Sequence, residues 1–457
     1  MAQLRLASQI GDGAVLQQQS EVVLWGWAAP KAVVKVKCSW IRKPFSTTAR
    51  ADRLWEVKVK TSRAHLTATH SIEVTSAGAR VTARDILFGE VWVCSGQSNM
   101  QWTLGRIGRT PKMEENADGV ASEGLSVIRM HVVPHHFALR PIESIVGKWV
   151  VGSPQSAMGL SAVGWLFAKR LRRELNVPIG MIHTSWGGTP SEAWTSAEKL
   201  SQVGEFADVI GKLKVAKNRK GFNHRSASTL YNAMIHPLLR CKFKGAIWYQ
   251  GESNVGRAKQ YSRIFPAMIE DWRSAFDCGA FPFYFVQIAP FEYGPKRNSA
   301  ALREAQLKTL SLEATGMAVT MDVGNPKNIH PINKGPVAVR LANMALGRVY
   351  GKGDSVDSGP FYRACRASGN RMILRFDNTG GKLRLSDPAK GVFQIAGADR
   401  KFVDASAVVV GDELHVHSPA VKSPKAVRYG WSNAPKAALF NRKRLPASSF
   451  RTDPWDD

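Results

Sequence analysis

Apolar and polar positions change their rhythm twice along this chain. Over residues 1–85 the apolar runs are short, and some alternate strictly with polar residues, as in Trp55-Glu-Val-Lys-Val-Lys60. Val22–Trp27, Val33–Cys38 and Ile72–Thr75 are further runs of this kind, separated by Gly, Pro and Ser. A period of two at this spacing predicts a small β-sandwich, because successive side chains point to opposite faces of a sheet. From about Asp85 the pattern becomes strand, then helix, repeated. Apolar runs at Glu90–Cys94, Ile179–His183, Lys244–Tyr249, Phe281–Ile288 and Met317–Asp322 predict buried strands. Between them, Ser161–Leu175, a segment from about Ser196, Gln260–Phe276, Ala300–Leu312 and Lys334–Leu346 predict helices. In the first, Val163, Leu166, Phe167, Leu171 and Leu175 recur at helical spacing and Pro178 stops the run. Five such units predict a parallel sheet with helices on both faces. Residues 102–154 read as a long loop with strand-like patches at Ser126–Val133 and Lys148–Val151. Past Gly353 strands return, at Met372–Phe376, Lys382–Leu385, Ala407–Val410 and Glu413–His417. The expected organisation is a β domain over 1–85, an α/β domain over 86–352 and a β region over 353–457.

Composition narrows this picture. The chain has 457 residues, 44% hydrophobic and 22% charged, with no low-complexity tract. No apolar run approaches the roughly 20 residues of a membrane span, and Met1-Ala-Gln-Leu-Arg5 lacks the apolar core of a signal peptide. The 63 Lys and Arg against 36 Asp and Glu leave a net charge of +27. The basic residues are scattered and no nucleic-acid motif accompanies them, so a solvated basic surface, or attraction to an anionic glycan, is expected rather than nucleic-acid binding. Five dispersed cysteines without a C-x-x-C pair argue against a disulfide framework or a zinc site. Cys94 falls on a buried run and reads as a core residue.

Candidate chemistry sits just after four of the predicted strands. Ser98 follows the first, in a tight Ser95-Gly-Gln-Ser-Asn99 turn. The Gly187-Gly188 pair follows the second, Asn254 the third and His330 the fifth. The carboxyl ends of parallel strands lie on one side of a sheet, so these turns are expected to converge. A hydroxyl, a histidine and a set of amide donors are what acyl transfer through a serine ester needs. Ser98 would attack a carbonyl, with His330 taking its proton and returning it to the leaving alcohol. The N–H of Ser98, an N–H of Gly187 or Gly188 and the Asn254 side chain would stabilise the oxyanion.

These motifs resemble those of the SGNH hydrolases, and more narrowly the sialate O-acetylesterase family and its relatives among xylan acetylesterases. The stretches that carry the resemblance are GEVWVCSGQSNMQW (89–102), HTSWGGTPSEAW (183–194), LYNAMIHPLL (230–239) with AIWYQGESN (246–254), and IHPINKGPVAVRLA (329–342). Residues 11–17 and 23–27 resemble the family's N-terminal β region, and 393–399, 426–431 and 445–453 its C-terminal end. The resemblance implies a flavodoxin-like SGNH sheet with additional all-β regions at the N- and C-termini. It implies a carbohydrate O-acetylesterase, acting through an acetyl-serine without cofactor or metal and exported to the secreted or periplasmic space. Carried over by motif, the nucleophile is Ser98, the catalytic histidine His330, and the oxyanion donors Ser98, Gly187 or Gly188, and Asn254. Sialic acid is the first substrate expected, with acetylated xylan or another polysaccharide next.

One departure stands out. Related sequences carry an acid shortly before the histidine, where this chain reads Asn328-Ile-His330. Asparagine can orient an imidazole but cannot stabilise imidazolium by charge. Three residues could serve: Asn328 itself, Glu252 in the third motif, or Asp322 at the end of the fifth strand, with Glu252 favoured. The same departure keeps open a degenerate, glycan-binding protein. Trp102, Trp186 and Trp194 flank the motifs and could stack on sugar. Gln97 and Gln250 are expected to brace the turns or contact substrate, and Arg106, Arg109 or Lys334 could meet a sugar carboxylate. His183 reads as a hydrogen-bonded loop histidine and His135-His136 as loop residues rather than a metal pair.

Overall fold

The computed structural model describes residues 4–108, 124–295, 297–354, 356–386 and 391–455; Arg109 lies outside them. The chain divides into two units, Met1–Trp248 with Ala267–Phe283, and Tyr249–Pro266 with Tyr284–Asp457.

The first unit is built on one long strand, β1, which spans Ala79–Gly96. Its start pairs antiparallel with His70–Ser76, inside the N-terminal β region. Its end, Glu90–Gly96, is the expected buried run and pairs parallel with a later strand. Asp85, in a left-handed conformation (φ 56°), marks the change of partner. The Asp85 carboxylate takes a hydrogen bond of 2.9 Å from the buried Arg129. One strand therefore runs through the position where the sequence suggested a domain boundary. Val15–Gln17 also pairs with it, and Gln17 and Gln18 both donate to the Glu90 carboxylate, at 3.2 and 2.7 Å.

The strand-like patches of the long loop are real strands, β2 (Ile128–Val132) and β3 (Lys148–Val151). After helix α1 (Ala162–Leu175) come β4 (Ile179–Ser185) and β5 (Gly245–Tyr249). Their order in the sheet is β3-β2-β4-β1-β5. β4 is parallel to both β1 and β2, whereas β3 is antiparallel to β2. The sheet is thus mixed rather than wholly parallel. The antiparallel member is an edge strand with half-exposed positions, where a second covering face is not required. Helix α1 begins where the Ser161 hydroxyl accepts from the Gly164 amide, and buries Val163, Phe167 and Leu171. It ends at Asn176, in the left-handed conformation suited to a helix C-terminus. The helix expected from about Ser196 is broken in two, a short turn over Ala197–Ser201 and a helix over Ala207–Val215.

Helix α2 (Ala258–Phe276) is shared between the two units. The second unit continues with β6 (Phe283–Val286), helix α3 (Ser299–Lys308), β7 (Thr315–Ala318) and helix α4 (Gly335–Arg348). β7 lies beside β6. It stops four residues short of the expected end at Asp322, because Thr320 and Val323 close a turn. The C-terminal region carries two four-stranded antiparallel sheets and a two-stranded ribbon, Leu383–Leu385 with Leu439–Asn441. Their shared core includes Leu374, Ile395, Leu414, Val427 and Leu439. Strands Phe361–Ser368, Phe393–Ala396 and Ala426–Tyr429 are additional to those expected. Phe361–Ser368 is hard to read because most of its positions are exposed or half-exposed.

Arg303 fixes this region to helix α3. It is fully buried, and donates to the Ser299 and Ser449 hydroxyls at 3.0 and 2.8 Å and to the Gly430 and Ser432 carbonyls at 3.2 and 2.5 Å. Arg303→Ala leaves several buried acceptors without a donor, each costing about 1–3 kcal/mol. A total loss above about 3 kcal/mol is therefore expected, read as a lower urea midpoint. All five cysteines are free thiols, with Cys94 fully buried. Among the described residues no helix is long and apolar enough to cross a membrane.

Candidate active site

In the first unit, β1 delivers its chain into a sharp turn. Gly96 has φ 135°, a conformation that side chains resist, and a single helical turn over Ser98–Gln101 follows. The Gln97 carbonyl accepts from both Met100 and Gln101 amides at 2.9 Å, and the Ser161 hydroxyl donates to the Met100 carbonyl at 2.6 Å. The Ser95 hydroxyl donates to the Thr184 carbonyl at 2.5 Å, tying this turn to β4. Gln97, Asn99 and Met100 are buried, while Ser98 among them is half-exposed. The fold thus holds the backbone fast and presents one hydroxyl.

The turn after β4 closes on that serine. A β-carbon placed on Gly187 would lie 3.3 Å from Ser98 Cβ, so only glycine allows this approach without a shift. The Gly187 amide donates to Gln101 Oε1 at 2.7 Å. Gln101, which the sequence reading passed over, therefore couples the two turns. Its place three residues after Ser98, on the same helical turn, was the available signal. Gly188 has φ 74°, with open space where a side chain would be.

The tryptophans are more committed than expected. Trp186 stacks on His135 (centroids 4.4 Å apart, 7° between planes) and on His224 (4.5 Å, 11°). Its ring face is used by imidazoles rather than left open as a sugar platform. The Arg106 guanidinium covers Trp102 at 4.4 Å. Trp194 is fully buried, donates to the Thr189 hydroxyl at 2.9 Å, and belongs to the core. His183 is buried with its Nε2 2.6 Å from the Ser185 hydroxyl, and burial, then His135, lowers its pKa to about 4. Among the described residues no group of three or more His, Cys, Asp or Glu is placed to hold a metal ion.

The second unit carries the remaining candidates. After β5, Gly251 begins a tight turn, Glu252–Asn254. A β-carbon at Gly251 would come within 2.5 Å of the Ile288 side chain. Gln250, fully buried, donates from Nε2 to Asn254 Oδ1 at 2.6 Å, and its own carbonyl accepts from Gln306 at 3.1 Å. With its oxygen engaged, the Asn254 amide directs its NH2 elsewhere. Glu252 is 6% exposed. His330 is half-buried, and its backbone N–H donates to Asn328 Oδ1 at 2.9 Å. Asn328 is exposed, and in this bond its side chain shapes the backbone turn. Asp322 meets Arg340 through both oxygens, at 2.8 and 2.6 Å.

A family profile described as carbohydrate esterase, sialic acid-specific acetylesterase matches residues 89–346. Human sialate O-acetylesterase is 32% identical over 497 aligned residues, covering 98% of this chain and 92% of the relative. The rat sialate O-acetylesterase is 31% identical, over 98% and 94% of the two chains. The crystal structure of a carbohydrate acetylesterase from Xanthomonas citri superposes with a TM-score of 0.86 at 37% identity, covering 99% of this chain and all of that one. The fold and these relatives define a carbohydrate esterase. Within that class, the chain belongs to the sialic acid-specific acetylesterase family, and its activity is that of a carbohydrate O-acetylesterase.

Proposed function

We propose that this esterase has an SGNH-type, flavodoxin-like catalytic core and works through an acetyl-Ser98 intermediate. The observation that carries this reading is the half-exposed Ser98 in a turn of buried neighbours, with Gly187 packed against it. Ser98 Oγ attacks the acetyl carbonyl while His330 takes its proton. The oxyanion so formed is stabilised by the Ser98 amide, the Gly188 amide and the Asn254 side chain. Gly188 is assigned ahead of Gly187 because the Gly187 N–H is engaged by Gln101. The C–O bond to the sugar breaks, and His330 returns its proton to the departing hydroxyl. Water, losing a proton to His330, then attacks acetyl-Ser98; the acyl C–Oγ bond breaks, His330 returns that proton to Ser98 Oγ, and acetate leaves.

Glu252 is assigned as the acid that supports His330. Asp322 has both oxygens on Arg340, and the Asn328 oxygen accepts from the backbone. Glu252→Gln is expected to lower kcat at least tenfold at neutral pH, while Asn328→Asp changes it by less than about threefold. Steady-state hydrolysis of 4-nitrophenyl acetate checks both, and full activity in Glu252→Gln removes the assignment.

The substrate proposed first is an O-acetylated sialic acid, whose carboxylate suits a chain of net charge +27. An acetylated neutral polysaccharide such as xylan is the alternative. Such glycans place the enzyme outside the cytoplasm. Acetate release from O-acetyl sialic acids and from acetylated xylan, by wild type and Ser98→Ala, decides between them. Release from xylan alone overturns the sialate reading, and equal release by both proteins overturns the mechanism.

A further inference from the structure

Four residues after His330, the chain buries a lysine where elementary electrostatics disfavours one. Lys334 is 1% exposed. It occupies the N-cap of helix α4, the positive end of the helix dipole, where a cation is repelled. Its ammonium stands 5.3 Å from the centre of the fully buried Tyr249 ring. Burial strips a lysine of the hydration that stabilises its charge. Burial pulls its pKa down to about 7, and the nearby Glu252 carboxylate opposes that fall. The same carboxylate raises the phenol pKa values of Tyr249 and Tyr293, in each case second to burial. Neither phenol oxygen has a hydrogen-bond partner among the described residues. The buried Glu252, Lys334 and Tyr249 and the half-buried Tyr293 thus act on one another's charge, with Arg303 and Arg297 acting through Tyr293.

Taking a carboxylate out of water disfavours its charged form, and a nearby cation favours it. Once protonated it can no longer stabilise an imidazolium. We propose that Lys334 is a positioning residue for the esterase reaction, whose ammonium offsets the cost of burying the Glu252 carboxylate and holds the Tyr249–Asn254 loop in its working conformation. The proposal rests on the role given above to Glu252. It explains why a lysine is kept at a helix N-terminus, out of water, beside the histidine motif.

The test is a double-mutant cycle of Lys334→Met and Glu252→Gln, with Lys334→Arg as the conservative variant. Each protein is assayed on 4-nitrophenyl acetate from pH 5 to pH 9 and melted thermally. Lys334→Met is expected to lose at least tenfold in kcat at pH 7, and the acid limb of its kcat/KM profile moves up by one pH unit or more. Lys334→Arg restores most of the rate and the position of that limb. In the double variant both buried charges are removed together, so the melting temperature recovers towards wild type. Its activity stays at the level of Glu252→Gln alone, because Lys334 acts through that carboxylate. A wild-type rate and profile in Lys334→Met overturns the proposal. So do losses that multiply in the double variant, or a recovery of activity together with stability. Ser98→Ala separates the two levels: if it retains activity the mechanism itself fails, whereas an inactive Ser98→Ala beside a normal Lys334→Met refutes the lysine's role alone.

Discussion

Ser98→Ala is expected to lower kcat for 4-nitrophenyl acetate by about 10,000-fold or more, the scale on which serine hydrolases lose rate without their nucleophile. KM should move far less, because alanine removes one oxygen from a turn that is otherwise fixed. The turn is held by the Gln97 carbonyl, the Ser161 hydroxyl and the Gly187 contact, none of which uses the Ser98 hydroxyl. The variant should therefore fold and melt like wild type, which makes lost activity a statement about chemistry. His330→Ala is expected to be nearly as damaging. The double variant should be little worse than either single one, because a nucleophile without its base and a base without its nucleophile are equally idle. Rapid mixing of wild type should show a burst of 4-nitrophenol if deacetylation limits turnover. A Ser98→Ala protein with kcat within tenfold of wild type would falsify the acetyl-serine route.

The sequence made the central elements legible for a physical reason. Glu90–Cys94, Ile179–His183 and Gly245–Tyr249 are buried on both faces, and such strands read as continuous apolar runs. Helix α1 was equally plain because it has a cap at each end and one apolar face. Strands that face solvent were harder. Ala79–Arg84, the first part of β1, is exposed or half-exposed everywhere but at Ala83, so β1 was expected to begin eleven residues later than it does. Phe361–Ser368 escaped for the same reason. β3 shows what periodicity cannot supply: its residues read as a strand, but only the register opposite β2 makes it antiparallel.

The site divides along similar lines. Motifs point to the proposed Ser98, glycine pair, Asn254 and His330, because the proposed chemistry needs particular residue types in turns. They say little about which atom of a motif is free to act. That the Gly187 N–H is engaged by Gln101, and that Asp322 is spent on Arg340, are facts of three-dimensional partnership. Trp186 makes the same point, since nothing in its local sequence shows that imidazoles from residues 135 and 224 will lie against it. Lys334 reads in the sequence as one of three cations that could meet a sugar carboxylate, and its burial gives it a different significance.

Asn254→Ala is expected to reduce kcat by roughly 100- to 1,000-fold, the usual effect of removing one side-chain donor from an oxyanion hole. The argument turns on orientation. An asparagine amide has an acceptor end and a donor end, and an oxyanion site can use only the donor. Gln250 settles which end is turned where, by donating to Asn254 Oδ1 from a side chain with no exposure to solvent. The Gln250 carbonyl is held in turn by Gln306. Asn254→Asp should be at least as inactive as Asn254→Ala, because it sets a negative charge where an oxyanion must form. Gln250→Leu keeps the volume but not the bond, so it should lose part of the rate, on the order of tenfold, by letting the amide rotate. In all three the deficit should lie in kcat rather than KM, since the lost interaction strengthens only as the carbonyl becomes tetrahedral. Steady-state kinetics read beside thermal melts make the check. An Asn254→Ala enzyme that keeps wild-type kcat while its KM rises would place Asn254 in substrate binding and leave the oxyanion to the backbone amides of Ser98 and Gly188.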